Sequence, residues 1–284
     1  MLEALRHHWP EYLMEGAGLG LFMISAGLFT TLLFYPGSPL HHAISSPLAT
    51  RACIGAAMGL TAIALIYSPW GQQSGAHYNP AVTLTFLRLG KVRSWDAFFY
   101  VSFQFIGGLA GVLLLAAFLR DSFGRAPVSY AATLPGREGP AVAFLAEGLI
   151  SFVMMGTILL VSNTKALAKY TGFFAGLLIF TFITVEAPLS GMSMNPARTL
   201  SSALPARAWG DLWIYSTAPV LGMFLAADVI RFARGTASVF CAKLNHETPR
   251  RCIFCASRSL ALILVVGSTI LLRTCLPDRV CAIS

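Results

Sequence analysis

Charged residues are scarce in this chain, since Asp, Glu, Lys and Arg make up only 11% of its 284 residues. Soluble domains carry roughly 25%, so a soluble protein with a large core would need far more surface charge. Hydrophobic residues reach 56%, and apolar runs of about 18 or more residues indicate membrane-spanning helices. The net charge of +8 fits Lys and Arg beside such spans, and no nucleic-acid partner is expected.

Sequence motifs that mark common enzymes are also missing. The chain has no Gly-rich phosphate loop, no Gly-x-Ser-x-Gly segment and no His-Glu-x-x-His segment. We therefore expect no enzyme activity and no cofactor.

Cysteine is rare until the C-terminal tail, which holds five of the six cysteines of the chain. Cys252 and Cys255 have the C-x-x-C spacing that is seen in metal and redox sites. A structural zinc site needs four ligands, and Cys241 with His246 would complete such a set only by an unusual spacing. We therefore expect no metal site in the tail.

Six stretches are long and apolar enough to cross a membrane. They cover about 12–34, 49–68, 97–119, 141–162, 171–189 and 211–232. Two further apolar stretches, 79–87 and 195–204, are about half as long as a span requires. They fit half-helices that enter the membrane from re-entrant loops.

An internal repeat links the two halves of the chain, about 10–119 and 141–232. The triplet Asn-Pro-Ala begins both short stretches, at Asn79-Pro80-Ala81 and Asn195-Pro196-Ala197. A Glu lies near the start of the first span of each half, at Glu15 and at Glu147. Each half has three spans, an odd number, so the second half must be inverted in the membrane.

The Asn-Pro-Ala triplet suits the start of a half-helix that faces a pore. Proline fits the first turn of a helix, and Asn is a strong N-terminal cap. Two half-helices from opposite sides would direct their positive dipole ends at one point in mid-membrane. The side chains of Asn79 and Asn195 would donate N–H bonds to a passing oxygen, while cations and protons would meet positive potential. Glu15 and Glu147 could accept hydrogen bonds from the loops.

With these features the chain resembles the major intrinsic protein family, the aquaporins and glycerol facilitators, over about residues 10–235. The resemblance rests on both Asn-Pro-Ala triplets, here called the first and second box, and on Arg198 after the second box. It also rests on Ser74-Gly75-Ala76-His77 and on the paired Glu residues. It implies an all-α membrane protein with an aquaporin-like bundle of six helices plus two half-helices. It also implies one pore per subunit and usually a homotetramer. Residues 1–235 would form this channel domain and 236–284 a Cys-rich basic extension.

The resemblance also implies an outer constriction, with Arg198 as its charged member. Counting along the sequence places Ile183 and Met192 at two other positions and either Met58 or Gly59 at the fourth. His77 would line the inner vestibule. Ile183 stands where strict water channels of the family typically have His, which favours larger or less polar solutes.

Residues after the second box favour water instead. Glycerol facilitators usually have Asp where this chain has Thr199, and a basic residue where it has Ala203. We therefore predict a passive channel for water and other small uncharged solutes that excludes protons and ions. A glycerol-type facilitator is the alternative, followed by an ion-coupled transporter that would use Glu15 and Glu147. A membrane scaffold with a closed pore is a further hypothesis.

The basic residues predict the topology. We expect the protein in the plasma or inner membrane of the cell, with its N-terminus in the cytoplasm. This orientation places most loop Lys and Arg residues and the basic tail on the cytoplasmic side. The first span is too long for a cleavable signal peptide. The apolar run 259–272 could be an interfacial helix, a seventh span or an appendage on the bundle, and a seventh span would place the C-terminus outside.

Overall fold

The protein is a bundle of helices in which two short helices meet end to end between six long ones. The computed structural model describes residues 1–235, 238–246 and 248–255, and it contains no β-strand among them. The long helices are α1 (Leu2–Phe34), α2 (Pro47–Tyr67), α4 (Ser94–Leu119), α5 (Pro140–Ser162), α6 (Thr171–Val185) and α8 (Leu212–Arg234). The half-helices are α3 (Pro80–Arg88) and α7 (Pro196–Ala206). By length and composition, six helices of the described residues could cross a membrane.

The packing follows the internal repeat. Helices α1 and α4 pack together, as do their counterparts α5 and α8, while α2 of the first half packs against α6 of the second. Each half-helix contacts the third long helix of both halves, α4 and α8. The two half-helices are therefore held between the repeats and not by one repeat alone.

Glycines allow the paired helices to come into backbone contact. A Cβ atom added at Gly111 of α4 would lie 2.4 Å from the carbonyl oxygen of Gly20 in α1. In the second half, a Cβ atom at Gly222 of α8 would lie 2.2 Å from the carbonyl oxygen of Gly148 in α5. Small residues drive helix association in membranes because they permit this close approach.

Helix α1 begins at Leu2, ten residues before the predicted span at 12–34. Its polar first turns are fastened to α4, because the Asp96 carboxylate accepts a bond from Tyr12 Oη at 2.6 Å and lies 2.7 Å from His8 Nδ1. The length of the apolar run therefore predicted the segment that can cross the membrane, but not the residue at which the helix begins. Glu15 therefore lies in the interior of α1, although it is near the start of the predicted span 12–34.

Helix α6 is shorter than its predicted span of 171–189, since it ends at Val185. A separate short helix, Ala187–Ser190, follows it and has Pro188 in its first turn. Proline has no backbone N–H to continue the hydrogen bonding of the preceding helix. The chain therefore turns here into the loop before the second half-helix.

The tail after α8 folds back onto the face of the bundle where α1 begins. The guanidinium of Arg251 donates to the carbonyl oxygen of His7 at 2.8 Å. The backbone N–H of Phe240 donates to Asn163 Oδ1 at 2.7 Å, at the end of α5. The apolar run predicted at 259–272 lies outside the described residues.

Candidate functional site

A cavity of about 680 Å³ runs between the two halves of the bundle and passes the point where the half-helices meet. Its wall includes most of the residues that the sequence singled out. These are Met58, His77, Asn79, Ile183, Met192, Asn195 and Arg198. Gly59 lies on another side of α2, where a Cβ atom would lie 2.5 Å from the carbonyl oxygen of Gly176. Of the two predicted alternatives on α2, Met58 is the one that lines the cavity.

Each half-helix is capped by the Asn of its box. Asn79 Oδ1 accepts the backbone N–H of Ala81 at 2.9 Å. Asn195 Oδ1 accepts the backbone N–H groups of Ala197 at 3.0 Å and of Arg198 at 3.1 Å. Pro80 and Pro196 occupy the first turns, where a missing N–H costs no intrahelical bond. The sequence produces this arrangement locally, because Asn and Pro are both favoured at these positions.

The two Asn side chains also tie the half-helices to each other. Asn79 Nδ2 donates to the carbonyl oxygen of Met194 at 2.7 Å, and Asn195 Nδ2 donates to that of Tyr78 at 2.8 Å. Each bond runs from one repeat to the loop of the other. A primary amide carries two N–H donors, so each Asn retains one donor that this tie does not use.

The loops before the half-helices have an unusual backbone that repeats in both halves. Ala76 and Tyr78 have φ angles of 57° and 46°, and Met192 and Met194 have φ angles of 53° and 54°. Left-handed backbone costs about 1–3 kcal/mol when the residue is not Gly and persists only where the surroundings fix it.

Buried carboxylates supply that restraint. Both oxygens of Glu15 accept bonds, from the backbone N–H of His77 at 3.0 Å and from that of Tyr78 at 2.6 Å. Further donors to Glu15 are Ser74 Oγ at 2.7 Å and Gln104 Nε2 at 2.8 Å. A carboxylate that accepts several N–H bonds fixes a loop that has no regular hydrogen bonding of its own.

Glu147 has the same arrangement in the second half. It accepts the backbone N–H of Ser193 at 2.6 Å, that of Met194 at 2.7 Å and Ser190 Oγ at 2.9 Å. Both carboxylates are fully buried and occupied by loop donors. Their bonds therefore place them behind the loops, where they support the cavity wall.

Two tyrosines complete this support, and the sequence reasoning missed them in that role. Tyr100 Oη donates to the carbonyl oxygen of Ser74 at 2.6 Å, and Tyr215 Oη donates to that of Ser190 at 2.6 Å. They occupy matching places in α4 and α8. An alignment of the two halves on Asn79 and Asn195 pairs them only with a one-residue gap, because Tyr100 follows Asn79 by 21 residues and Tyr215 follows Asn195 by 20.

Arg198 brings a charged donor into the cavity wall. Its Nη1 atom is buried and has no hydrogen-bond partner among the described residues. Ile183, Met192 and Met58 line the same cavity and supply apolar surface. The wall therefore combines one strong donor with aliphatic and thioether groups.

His77 contacts the tail as well as the first box. Its Nε2 atom lies 2.7 Å from the carbonyl oxygen of Ala242, and its Nδ1 atom lies 3.0 Å from Thr83 Oγ1. Because a carbonyl oxygen only accepts, Nε2 carries the hydrogen of this bond. Leu244 of the tail lines the cavity too. No feature of the sequence indicates that residues so far along the chain reach this end of the cavity.

The structure brings together the four tail residues that the sequence analysis considered as metal ligands and did not expect to form a site. Ligand atoms of Cys241, His246, Cys252 and Cys255 all lie within 4.8 Å of one another. The path of the tail brings them together, although their spacing along the sequence is not one of the common patterns.

Comparisons with known proteins agree with this architecture. The family model described as Major intrinsic protein matches residues 10–229. NIP4-1 of Arabidopsis thaliana is 37% identical over 63% of this chain and 61% of its own length. Aquaporin NIP3-1 of Zea mays is 32% identical over 79% of this chain and 71% of its own length. Glycerol uptake facilitator protein-like 6 of Lactiplantibacillus plantarum is 34% identical over 63% and 83%.

A solved structure matches as well. The X-ray structure of the aquaglyceroporin from Plasmodium falciparum has a TM-score of 0.65, covering 78% of this chain and 95% of that chain. At 19% sequence identity this likeness establishes the fold. The chain spans about three fifths of the length of the first relatives that it matches, 61% in two cases.

Proposed function

Because this chain belongs to the major intrinsic protein family, we propose that it is a passive membrane channel for water and other small uncharged solutes. Members of the family are channels and not enzymes, and we infer no covalent chemistry and no cofactor here. The solute moves down its own gradient. The observation that carries this proposal is the cavity between the halves, on which Asn79, Asn195 and Arg198 all converge.

The half-helices provide the means of excluding ions. Each is capped by its Asn, so the positive ends of α3 and α7 both face the middle of the cavity. The second N–H of Asn79 and of Asn195 can donate to the oxygen of a water or an alcohol. The same N–H groups repel a cation or a migrating proton, because they create a positive potential and offer no hydrogen-bond acceptor.

Arg198 and its apolar neighbours support the role of a selectivity filter. The partnerless Nη1 atom of Arg198 is available to a solute oxygen, and its charge repels cations. Met58, Ile183 and Met192 offer no hydrogen bonds of comparable strength. Such a wall favours a solute with carbon surface on one side and oxygen on the other.

That apolar wall favours a glycerol-type facilitator as a second candidate function. A polyol can present its hydroxyl groups to Arg198 and its carbon chain to Ile183 and Met58. A channel for water alone would gain more from a second strong hydrogen-bond donor at these positions. The relatives include both aquaporins and a protein named for glycerol uptake. Thr199 and Ala203 remain the residues that favour water.

The proposal extends to assembly and location. The protein is an integral multi-pass membrane protein, as six apolar helices and the family indicate. Large apolar side chains on the outer faces of α5 and α8, such as Leu145 (71% exposed) and Leu221 (57% exposed), suit lipid or a neighbouring subunit. We propose a homotetramer in the cell membrane, with a cytoplasmic N-terminus.

Stopped-flow light scattering on proteoliposomes tests the function. Vesicles with the protein should shrink faster than empty vesicles under an osmotic step, with a low activation energy for water. A glycerol gradient on the same vesicles separates the two candidates. Saturable uptake that depends on a proton gradient would instead support the ion-coupled transporter. No acceleration for water, glycerol or other small uncharged solutes would refute the channel.

A further inference from the structure

Four metal-ligating side chains cluster in the tail, apart from the cavity wall. Cys252 Sγ lies 3.4 Å from Cys241 Sγ and 3.4 Å from Cys255 Sγ. His246 Nε2 lies 2.9 Å from Cys255 Sγ. All four ligand atoms fall within 4.8 Å of one another. Three thiols and an imidazole make up a Cys₃His set.

The two sulfur–sulfur distances of 3.4 Å are close to those of a tetrahedral metal site. Zinc holds thiolate sulfur at about 2.3 Å and imidazole nitrogen at about 2.0 Å, so tetrahedral geometry places the ligand atoms about 3.5–3.8 Å apart. A disulfide needs two sulfurs at about 2.05 Å. Here Cys252 is equally close to two cysteines, so a disulfide would use two sulfurs and leave the third beside it. Four converging ligand atoms are explained better by one bound metal ion than by a disulfide between two of the cysteines.

The segment that carries the ligands has little else to fix its shape. The described parts of the tail, 238–246 and 248–255, contain no helix longer than a turn and no strand. Short segments without a core of their own commonly depend on a metal or a disulfide. A bound ion would close the loop between Cys241 and Cys255.

Lys243 supplies a second, independent observation. It is 2% exposed, and its Nζ atom donates to main-chain carbonyls, those of Arg250 at 3.3 Å and Arg251 at 2.6 Å. A buried ammonium needs a compensating negative charge. A zinc ion with three thiolates carries a net charge of −1, and the ligand Cys252 directly follows Arg251 in the chain. The metal site would therefore contribute negative charge beside Lys243, in addition to that of the buried Glu11 carboxylate.

The cluster lies beside the mouth of the cavity. The backbone N–H of Leu244 donates to the carbonyl oxygen of Gly75 at 3.1 Å. Phe254, between two of the cysteines, stacks on His77 with 5.5 Å between ring centroids and 9° between planes. An ion in the cluster would thus fix the loop that contacts His77 and forms one end of the cavity wall.

We propose that Cys241, His246, Cys252 and Cys255 bind one structural zinc ion, which fastens the tail segment 238–255 to this mouth of the channel. This site takes no part in solute passage itself. Its test therefore does not depend on whether the pore conducts water or glycerol.

Metal analysis of the purified full-length protein is the first test. Mass spectrometry of the dialysed protein should find about one zinc ion per chain. X-ray absorption should show about three sulfur neighbours at 2.3 Å and one nitrogen near 2.0 Å. A protein that contains no zinc and takes up none from added zinc chloride would overturn the proposal. A shell of oxygen neighbours would do the same.

Variants identify the ligands. Cys252→Ser and His246→Ala should lose the zinc, while Cys53→Ser, which removes an exposed thiol on α2, should keep it. The double variant Cys275→Ser with Cys281→Ser also keeps it if the four named residues are the ligands. Zinc lost from this double variant, or retained by Cys252→Ser, would contradict the assignment.

Limited trypsin digestion of the wild-type protein provides a readout that needs no variant. Lys243 is buried, so cleavage after it should be slow with zinc bound and fast after a zinc chelator is added. Re-addition of zinc should restore protection. Cleavage after Lys243 that is equally fast with and without zinc would overturn the proposed fastening of the segment.

Discussion

The side chain of Asn195 reaches from the second half of the chain to Tyr78 in the first half, with its Nδ2 atom 2.8 Å from the Tyr78 carbonyl oxygen. The residue that caps one half-helix therefore also holds the loop of the other. The Asn195 oxygen caps α7 and one of its N–H groups joins the repeats, and we propose that the other N–H faces the cavity that Asn195 lines. Substitutions can separate the cap from the donors.

We expect Asn195→Ser to retain the fold better than Asn195→Ala. Ser still caps the helix and sets no negative charge against the Tyr78 carbonyl oxygen, whereas loss of a cap costs about 1 kcal/mol. Both variants lose the amide bond to Tyr78 and the amide donor that we propose for the solute, so both should conduct more slowly. Thermal unfolding in detergent and stopped-flow water flux measure the two effects. Normal flux in Asn195→Ser would argue against a donor role for the amide.

Glu147→Gln should destabilise the second re-entrant loop. The Glu147 carboxylate accepts bonds on both oxygens, and a Gln side chain would place an NH₂ group against one of those donors. Each buried donor that is left without a partner costs about 1–3 kcal/mol. The melting temperature should fall and the water flux should drop. Glu3→Gln, at an exposed position in the first turn of α1, is the control and should change neither.

Arg198→Val should loosen the exclusion of protons or cations, because it removes the charge that lines the cavity wall beside the second box. A pH-sensitive dye inside proteoliposomes measures proton leak, and a potassium gradient measures cation leak. Arg207→Asn removes an exposed positive charge just after α7, at a left-handed position that Asn tolerates. It should leave ion leak unchanged. An unchanged leak in Arg198→Val would count against the proposed place of Arg198 in the filter.

Gly222→Ala should destabilise the contact between α5 and α8. The added Cβ atom would lie 2.2 Å from the carbonyl oxygen of Gly148, and backbone cannot move aside as a flexible side chain can. Overpacking of this kind costs about 1–3 kcal/mol. Gly156→Ala in α5 is the matched control, because nothing lies within 4 Å of its added Cβ atom. Equal melting temperatures for the two variants would refute this account.

Local physics explains what the sequence could predict. The six spans follow from apolar length, and the half-helix starts follow from Asn and Pro, whose capping preferences act within one turn. The start of α1 was missed because its polar turns are fixed by Asp96, which is far away in the chain. The position of the tail was missed for the same reason, since Ala242 and Leu244 meet His77 and Gly75 only after the whole bundle has folded.

Leu244→Ala should raise solute flux if the tail limits one mouth of the cavity. Leu244 is 4% exposed and lines the cavity beside the first box, so a shorter side chain enlarges the opening there. Phe240→Ala, which alters a 74% exposed residue of the same segment, should leave flux unchanged. Stopped-flow measurements with water and with glycerol compare the two variants at equal protein density. An increase for glycerol alone would place the narrowest point for the larger solute at Leu244, whereas no increase for either solute would place it deeper, near Arg198 and Ile183.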